Sequence, residues 1–558
     1  MSESNRLLMV LATALIGCGG GGGTGPGPVV NCASPIPVAL PVGGIQLVDA
    51  SQTGCVEFAG VTAAEEYLVV GYSGAGQVTQ SGVSGAFEMR VGAPTQATVM
   101  SDRRALAGRD LVPGLAAEPE NALAFHAMLR RREAALAASG AAELSPRSPA
   151  FLRGPPTVGQ QDGFQVCATL ACTQFTPITA TARVVGERGV IWVDNAPTDG
   201  TEQLSLADLQ QLGALFDDYL YPIDTTAFGA TSDIDGNQRV DIVISERVNQ
   251  LTTDCTNGRV VGYFFGGDLL ATHQGSNQRE VFFAFAPRPT VGNCPAVTRT
   301  TALRALPPVL IHELQHMISF NERVLRRGRS DEVSWLNEGL SQFAEDLGQF
   351  LIPDLRCPTS TSCFSQFGSG NLRNAYEFML DPEATFLVSP RDDGPTLEGR
   401  GASWLFIRWL ADHFSSDTLR GTTLTRALTS GAATGADNIA SATGVPFPTL
   451  VGEWLSTLWV DDLPGFPQAG RLRYRTWNFR STYARNSPGT FPKAYPLEPI
   501  LVTSSGTSGS GTLRGGTGRF LRVALAAGNG PMQVRLTGPG GVAPAGALSA
   551  RIAVVRTK

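Results

Sequence analysis

Residues 312 to 316 carry the clearest chemistry in the sequence: they read His-Glu-Leu-Gln-His. On a helix, side chains four residues apart lie on one face, so the imidazoles of His312 and His316 would both reach one zinc ion. Glu313 would then lie beside the metal, where it takes a proton from a zinc-bound water. Apolar neighbours predict a buried helix with Pro307 and Pro308 at its entry. The pattern indicates metal-assisted hydrolysis, most often of a peptide bond. The alternative is a pair of hydrogen-bonded core histidines.

A catalytic zinc ion needs three protein ligands and one open position, so the third ligand decides the kind of site. Some zinc proteases continue this motif with a glycine and a third histidine; here the chain continues through Phe320, Asn321 and Glu322 without either. The best third ligand is Glu338, on a helix predicted from about 332 to 348 with an apolar face. A glutamate beside such a face needs a charge partner, which zinc supplies. Alternatively, Glu338 caps the helix or pairs with Arg326 or Arg329.

Two segments together resemble the glutamate-ligand zincins (gluzincins). Residues 312–320 read His-Glu-Leu-Gln-His-Met-Ile-Ser-Phe, and residues 335–345 read Trp-Leu-Asn-Glu-Gly-Leu-Ser-Gln-Phe-Ala-Glu. This wording is most similar to the hyicolysin family of bacterial neutral metallopeptidases, and the similarity extends over about 155–465. The resemblance implies a zincin (thermolysin-like) α+β catalytic domain acting on protein or peptide substrates. It also implies that His312, His316 and Glu338 bind zinc and that Glu313 is the general base.

Two positions depart from the wider group of thermolysin-like enzymes. These carry an acidic residue four positions after the glutamate ligand, where it orients a ligand histidine; here that residue is Gln342. The orienting role therefore falls to Gln342 or to Glu345. An oxyanion-stabilising residue is also expected, and the candidates are Tyr376, Arg400 and His413, each with a surface or packing role as the alternative.

Oxygen-bearing side chains alternate at Asp233, Asp235 and Asn237, with Asp241 four residues further on. Calcium prefers such carboxylate and amide oxygens in a tight loop, so the segment predicts a Ca²⁺ site. It is not an EF-hand, because Gln238 replaces the glycine and Ile244 the bidentate glutamate of that loop. The alternative is an acidic turn that leads into a strand.

The N-terminal segment predicts export. Residues 7–17 are apolar but too short to span a bilayer, and they end in Leu-Ile-Gly followed by Cys18, which resembles a bacterial lipobox. We therefore expect a lipoprotein signal peptide over 1–18, a lipidated Cys18 as the membrane contact, and a glycine-rich tether over 19–30. An apolar first strand is the alternative.

The remaining eight cysteines are an even number, which suits disulfides in an oxidising compartment. Their connectivity is not fixed by sequence. Pairing of sequence neighbours is the simplest expectation: Cys32–Cys55, Cys167–Cys172, Cys255–Cys294 and Cys357–Cys363.

The chain length, the net charge and the order of predicted elements limit the possible architectures. A chain of 558 residues predicts two to four domains, and a net charge of −6 with mixed signs gives no basic footprint for nucleic acid. We expect a zincin catalytic domain over 156–465, flanked by small β-sandwich domains over 31–115 and 490–558. A helix and linker over 116–155 would connect the first two. The oligomeric state is left open.

Three function classes fit these residues. The first is a secreted or surface-anchored zinc metallopeptidase. The second is a non-enzymatic surface lipoprotein or adhesin on a zincin fold. The third is a zinc hydrolase of a non-protein substrate, because the motif specifies a metal and a base but not a substrate.

Overall fold

The computed structural model describes residues 30, 32–51, 53–92, 120–140, 153–196, 201–256, 258–358, 362–503 and 507–558. The predicted signal peptide, with Cys18, and residues 19–29 of the predicted glycine-rich tether lie outside these residues. Within the described residues, no helix has both the length and the apolar character that a membrane crossing requires.

Strands and helices follow one another in a mixed order along the chain. In chain order the strands are β1 (Ile36–Val38), β2 (Ile45–Asp49), β3 (Cys55–Phe58), β4 (Glu65–Ser73), β5 (Ser84–Gly92), β6 (Gln161–Cys167), β7 (Phe175–Val185), β8 (Gly189–Asp194), β9 (Val240–Ile244), β10 (Gly262–Phe264), β11 (Val281–Ala284), β12 (Ile500–Val502), β13 (Thr507–Arg514), β14 (Gly518–Leu525), β15 (Met532–Thr537) and β16 (Ala550–Arg556). The helices are α1 (Glu120–Ala138), α2 (Leu206–Leu215), α3 (Tyr221–Ala227), α4 (Glu246–Gln250), α5 (Arg299–Phe320), α6 (Ser334–Leu351), α7 (Cys363–Leu380), α8 (Leu397–Phe414), α9 (Thr422–Ser430), α10 (Gly435–Thr443), α11 (Phe447–Val460) and α12 (Phe479–Arg485).

The strands at the two ends of the chain share one β-sandwich. One sheet has the order β1-β3-β15-β5-β13 and the other β12-β14-β4-β16-β2, so each sheet contains both N-terminal and C-terminal strands, paired with one another. Apolar side chains of both sheets, such as Val56 and Ile552, form a common core. The expectation of two separate β domains at the two ends is therefore wrong. Each end by itself lacks the neighbouring strands that its hydrogen bonds and apolar faces require.

A six-stranded mixed sheet lies in the middle of the chain, in the order β10-β11-β9-β8-β7-β6. β8, β9 and β11 run parallel, and their nearly continuous apolar sequences suit a sheet that is covered on both faces. β10 is an edge strand that pairs antiparallel with β11. Helix α5 packs against β10, which brings the segment 312–316 to this edge.

Helix α5 begins eight residues before the prolines that were expected at its entry. Thr298 caps it by accepting a hydrogen bond from the N–H of Thr301, and Pro307 and Pro308 lie in its interior. Proline lacks an N–H, so the carbonyls of Leu303 and Arg304 lose their partners within the helix. The side-chain amide of Gln366 on α7 donates to both carbonyls, at 3.1 Å each. A neighbouring helix thus satisfies the backbone groups that the prolines leave open.

Helix α6 confirms the helix predicted over about 332–348 and packs closely against α8. A side chain at Gly339 would lie 2.9 Å from the Cβ of Ser403, so only glycine permits this approach. Further along the same two helices, the fully buried Arg408 of α8 lies 3.3 Å from Asp346 of α6 and 3.0 Å from Asp412 of α8. Removal of one member of such a buried network leaves an uncompensated charge, so the network fixes α6 on α8.

All four expected disulfides are present: Cys32–Cys55, Cys167–Cys172, Cys255–Cys294 and Cys357–Cys363. Each joins cysteines that are close in sequence, so each closes a short loop within one part of the fold. Cross-links of this kind limit the unfolded chain and stabilise the folded one.

The substitution Gln366→Leu should lower the free energy of unfolding by about 1–3 kcal/mol, because the carbonyls of Leu303 and Arg304 become buried without donors. Urea unfolding followed by tryptophan fluorescence measures the change. Gln211→Leu, at an exposed position on α2, is the matched control and should change stability by less than about 0.5 kcal/mol. Equal effects of both substitutions would contradict the proposed role of Gln366.

Candidate metal centre

Three side chains from two helices converge beside the edge strand β10. His312 and His316 come from α5 and Glu338 from the first turns of α6, and one ligand atom of each lies within 4.8 Å of the other two. Nε2 of His312 is 3.4 Å from Oε2 of Glu338, and Nε2 of His316 is 3.6 Å from Oε1. The sequence motif thus forms a compact group of two imidazoles and one carboxylate. This donor set is one that zinc prefers.

Neighbouring side chains orient both imidazoles. Nδ1 of His312 lies 2.7 Å from Oε1 of Glu345, which follows Glu338 by seven residues and therefore lies on the same face of α6. Nδ1 of His316 lies 3.2 Å from Oδ1 of Asn337 and 3.1 Å from Oγ of Ser341. In both rings Nε2 is the nitrogen turned toward Glu338. Metal-binding histidines are typically held in this way through their second nitrogen.

Of the two residues considered for the orienting role, Glu345 contacts His312 and Gln342 does not. The side-chain oxygen of Gln342 has no hydrogen-bond partner among the described residues, whereas its backbone carbonyl accepts from Asn371. The carboxylates of Glu338 and Glu345 also affect the protonation of His312. Burial alone would lower the pKa of His312, but these two carboxylates raise it to about 10. A metal ion therefore competes with a proton for Nε2.

Glu338 is a buried carboxylate whose two oxygens accept no hydrogen bond from the described residues. Burial alone would raise its pKa, but Arg400, His316 and His312 hold the pKa well below its usual value. Nη2 of Arg400, on α8, lies 3.1 Å from Oε2 of Glu338. The alternative partners Arg326 and Arg329 bond instead to Glu322 and to the carbonyl of Ser430. An anionic oxygen pair with open lone pairs, facing two imidazoles, fits a divalent metal ion.

Glu313 lies at the junction of this group and the edge strand. Its Oε2 accepts a hydrogen bond of 2.8 Å from the backbone N–H of Phe264, the last residue of β10. Its Oε1 is 3.9 Å from Nδ1 of His126 on α1. Burial raises the pKa of Glu313 above its usual value, which moves the carboxylate toward the range of a general base.

Among the three oxyanion candidates, only Arg400 lies at the metal centre. The hydroxyl of Tyr376 accepts from the backbone N–H of Lys493, and the ring packs on Phe491. Nε2 of His413 lies 2.7 Å from the carbonyl of Arg473. Tyr376 and His413 therefore have packing roles, as the alternative interpretation expected, and Arg400 contacts a ligand carboxylate.

The predicted calcium loop keeps Asp233, Asp235 and Asn237 together and gains Glu280. Asp233 and Asp235 form an acidic group with Glu280, next to the start of β11. Burial raises the pKa of Asp235 to about 6 and that of Glu280 to about 7. The negative charge of Asp235 adds to the rise in the pKa of Glu280. Oε1 of Glu280 accepts from the N–H of Ile234, whereas the buried Oε2 has no hydrogen-bond partner among the described residues.

Of the other two residues of the predicted calcium set, Asn237 stays beside Asp235, to whose Oδ2 its Nδ2 donates at 2.9 Å, whereas Asp241 has different partners. Asp241 lies in β9. Its carboxylate accepts from the indole N–H of Trp192 and lies 3.3 Å from Arg279. Oδ1 of Asn237 accepts from the N–H of Arg239, as in a turn. The assignment of Asp241 to this group is therefore wrong. Glu280 was missed because it is close only through the pairing of β11 with β9.

Sequence reasoning also missed His126 and Arg130, which α1 brings to the site. His126 lies over Glu313, with its ring centroid 6.4 Å from that of His312. Arg130 donates to the carbonyl of Phe264. The sequence held one signal for His126: it is one of only five histidines, and it lies in the helix and linker predicted over 116–155.

Comparison with known proteins gives a match to a metalloprotease. The neutral metalloprotease ShpI of Staphylococcus hyicus is 27% identical over 164 residues, which is 29% of this chain and 34% of that protein. The solved structure of native yeast LTA4 hydrolase aligns at a TM-score of 0.29 and 15% identity, over 56% of this chain and 46% of that one. Both alignments span less than half of the other protein. No protein-family model matches the chain.

The substitution Glu345→Ala should weaken zinc binding about 10- to 100-fold, since His312 loses the carboxylate that orients its ring. Competition with a chromophoric chelator measures the dissociation constant. Gln342→Ala, one turn closer to Glu338 on α6, is the control and should leave zinc affinity unchanged. The orienting role of Glu345 is refuted if both substitutions weaken binding equally.

Proposed function

We propose that this protein is a zinc-dependent metallopeptidase that hydrolyses peptide bonds with Glu313 as general base. The observation that carries the proposal is the group of His312, His316 and Glu338, whose ligand atoms lie within 4.8 Å of one another. The match to the neutral metalloprotease ShpI supports a zinc hydrolase of the protease class. The resemblance of residues 312–320 and 335–345 supports the finer assignment to hyicolysin-like gluzincins.

Each residue has a defined task in this proposal. His312, His316 and Glu338 would hold the zinc ion, with Glu345, Asn337 and Ser341 fixing the imidazoles. Zinc in such a site supplies Lewis-acid activation of the scissile carbonyl and of a water molecule. Glu313 accepts the proton of the attacking water and later delivers it to the leaving amine. Arg400 keeps Glu338 ionised and in position.

The buried carboxylate of Glu338 also bears on the competing functions. An adhesin or binding module has no need for a buried carboxylate with open lone pairs beside two oriented imidazoles, because such a group is costly to bury. A zinc hydrolase of a non-protein substrate would retain the same metal centre and base. Cleavage of casein, and its loss on treatment with a chelator, distinguishes the proposed peptidase from both alternatives.

We further propose that the protein is exported. Four disulfides suit an oxidising compartment, and they agree with the lipobox-like sequence that ends at Cys18. Mass spectrometry of the mature N-terminus in a bacterial host would test lipidation of Cys18 directly.

Replacement of Glu313 by Gln should lower casein hydrolysis about 100- to 10 000-fold while about one zinc ion per chain stays bound, because the proton acceptor is lost and the ligands remain. The measurements are zinc content by atomic emission and casein cleavage, on protein that lacks residues 1–30. Glu187→Gln, the same change at an exposed site, is the control and should keep full activity. Absence of zinc from the wild type would refute the proposed ligand set.

We also propose a structural calcium site formed by Asp233, Asp235 and Glu280. The buried, unpartnered Oε2 of Glu280 supports it, because a buried carboxylate oxygen without a donor is stabilised by a cation. Oxygen-only ligands on a tight loop favour calcium over zinc. The site lies outside the zinc group and would stabilise the junction of β9 and β11.

Calcium should therefore raise the melting temperature of the wild type, and Glu280→Gln should abolish that rise, since a ligand that binds only the folded state stabilises it. Differential scanning calorimetry with and without millimolar Ca²⁺ measures the effect. In Asp241→Asn the calcium-induced rise should persist even if the overall stability falls, because Asp241 contacts Trp192 and Arg279 instead. Loss of the rise in Asp241→Asn alone would favour the original sequence-based ligand set.

A further inference from the structure

Helix α1 covers the metal centre at the edge strand. The helix packs against α6 and against the short turn Gly266–Leu269 that follows β10. Its residues Phe125, His126, Leu129, Arg130 and Glu133 are buried in this contact. The general base Glu313 and the ligand helix α6 thus lie directly beneath α1.

The polar contacts of α1 are made with Phe264, the last residue of the edge strand β10, and with Gly266 in the turn that follows it. The guanidinium of Arg130 donates to the carbonyl of Phe264 at 2.9 Å. The carboxylate of Glu133 accepts from the N–H of Gly266 at 2.6 Å. The free N–H and C=O groups of an edge strand are those that an extended peptide uses when it adds to a sheet. One such group of the strand, the carbonyl of Phe264, and the N–H of Gly266 just beyond the strand are therefore occupied by side chains of α1.

The buried polar side chains of α1, His126, Arg130 and Glu133, contact Glu313, Phe264 and Gly266 beside the metal centre. Arg130 and Glu133 are both almost fully buried, and they form an ion pair with each other at 3.0 Å. Burial of such a pair gains little stability over apolar residues of the same size. The imidazole of His126 adds a polar group directly over Glu313. Phe125 and Leu129 of the same helix belong to the hydrophobic core, whereas these polar side chains meet the polar groups at the end of β10 and Glu313.

We infer that α1 is an intramolecular inhibitor that occupies the groove between β10 and α6, where an extended peptide would add to β10, so that the intact chain cleaves protein substrates slowly. The inference rests on the proposed peptidase function. Cleavage of the chain between α1 and β6 would allow α1 to leave the groove. The N-terminal piece would remain bound, because β1 to β5 pair with β12 to β16 in the shared sandwich. Since no disulfide among the described cysteines joins the two pieces, the active form is a non-covalent two-chain enzyme.

The direct test introduces a recognition sequence for a specific protease between residues 140 and 153, in the Glu313→Gln background so that the protein does not digest itself. A fluorescent peptide hydroxamate, which binds zinc-containing grooves, is titrated into the intact and the nicked protein. We expect at least about tenfold tighter binding after nicking, because α1 no longer competes for the groove. Equal affinity before and after nicking would overturn the inference.

A pair of neighbouring arginines gives a matched test in the intact chain. Arg130→Gln removes the guanidinium that bonds to Phe264, and should increase both hydroxamate affinity and casein cleavage at least about tenfold. Arg131→Gln makes the same change at the adjacent, partly exposed position and should have no effect. Equal activation by both variants, or by neither, would count against the role of Arg130.

A readout that is independent of zinc separates this inference from the proposed function. Hydrogen exchange in residues 264–269 should become faster after nicking, because the N–H of Gly266 loses its acceptor Glu133. Unchanged exchange would show that α1 stays in place and would overturn the inference. If exchange becomes faster but neither form binds zinc or the hydroxamate, the helix is released as inferred and the peptidase proposal fails.

Discussion

The buried carboxylate of Glu338 is the constraint on which the surrounding structure depends. A carboxylate without hydrogen-bond donors is costly inside a protein, so it must be balanced by cations or by a metal ion. Arg400 supplies one positive charge from α8, and the imidazoles of His312 and His316 face the same oxygens from α5. Three helices are thereby brought to one point, and a divalent ion there would complete the balance.

The scaffold keeps these helices in register by interactions away from the metal centre. Gln366 donates hydrogen bonds to the two carbonyls that the prolines leave without partners in α5. The buried Arg408 on α8 forms ion pairs with Asp346 on α6 and with Asp412. The edge strand β10 then fixes Glu313 through the N–H of Phe264. Rigid support of this kind is what a hydrolytic site needs, since small displacements of a base or a ligand reduce catalysis strongly. The same edge strand also contacts α1, so the proposed general base and the helix that covers it lie against one strand.

Local signals predicted what depends on local structure. The spacing of His312 and His316, the apolar face of the helix that carries Glu338, and the four short-range disulfides were all readable from the sequence, because each depends on residues close along the chain. Glu280, and not Asp241, joins Asp233 and Asp235 in the acidic group. The pairing of β11 with β9 brings Glu280 there, and sequence spacing does not encode that pairing. The shared β-sandwich and the position of α1 were missed for the same reason: both join segments that are far apart in the chain.

The central claim, that one metal ion lies among His312, His316 and Glu338, is tested most directly by anomalous X-ray diffraction at the zinc edge. Crystals grown with one equivalent of zinc should give one strong anomalous peak within about 2.0–2.2 Å of Nε2 of both histidines and an oxygen of Glu338. Glu345 should remain bonded to Nδ1 of His312 in that structure. An anomalous peak elsewhere, or none, together with an intact contact between Glu338 and Arg400, would contradict the account.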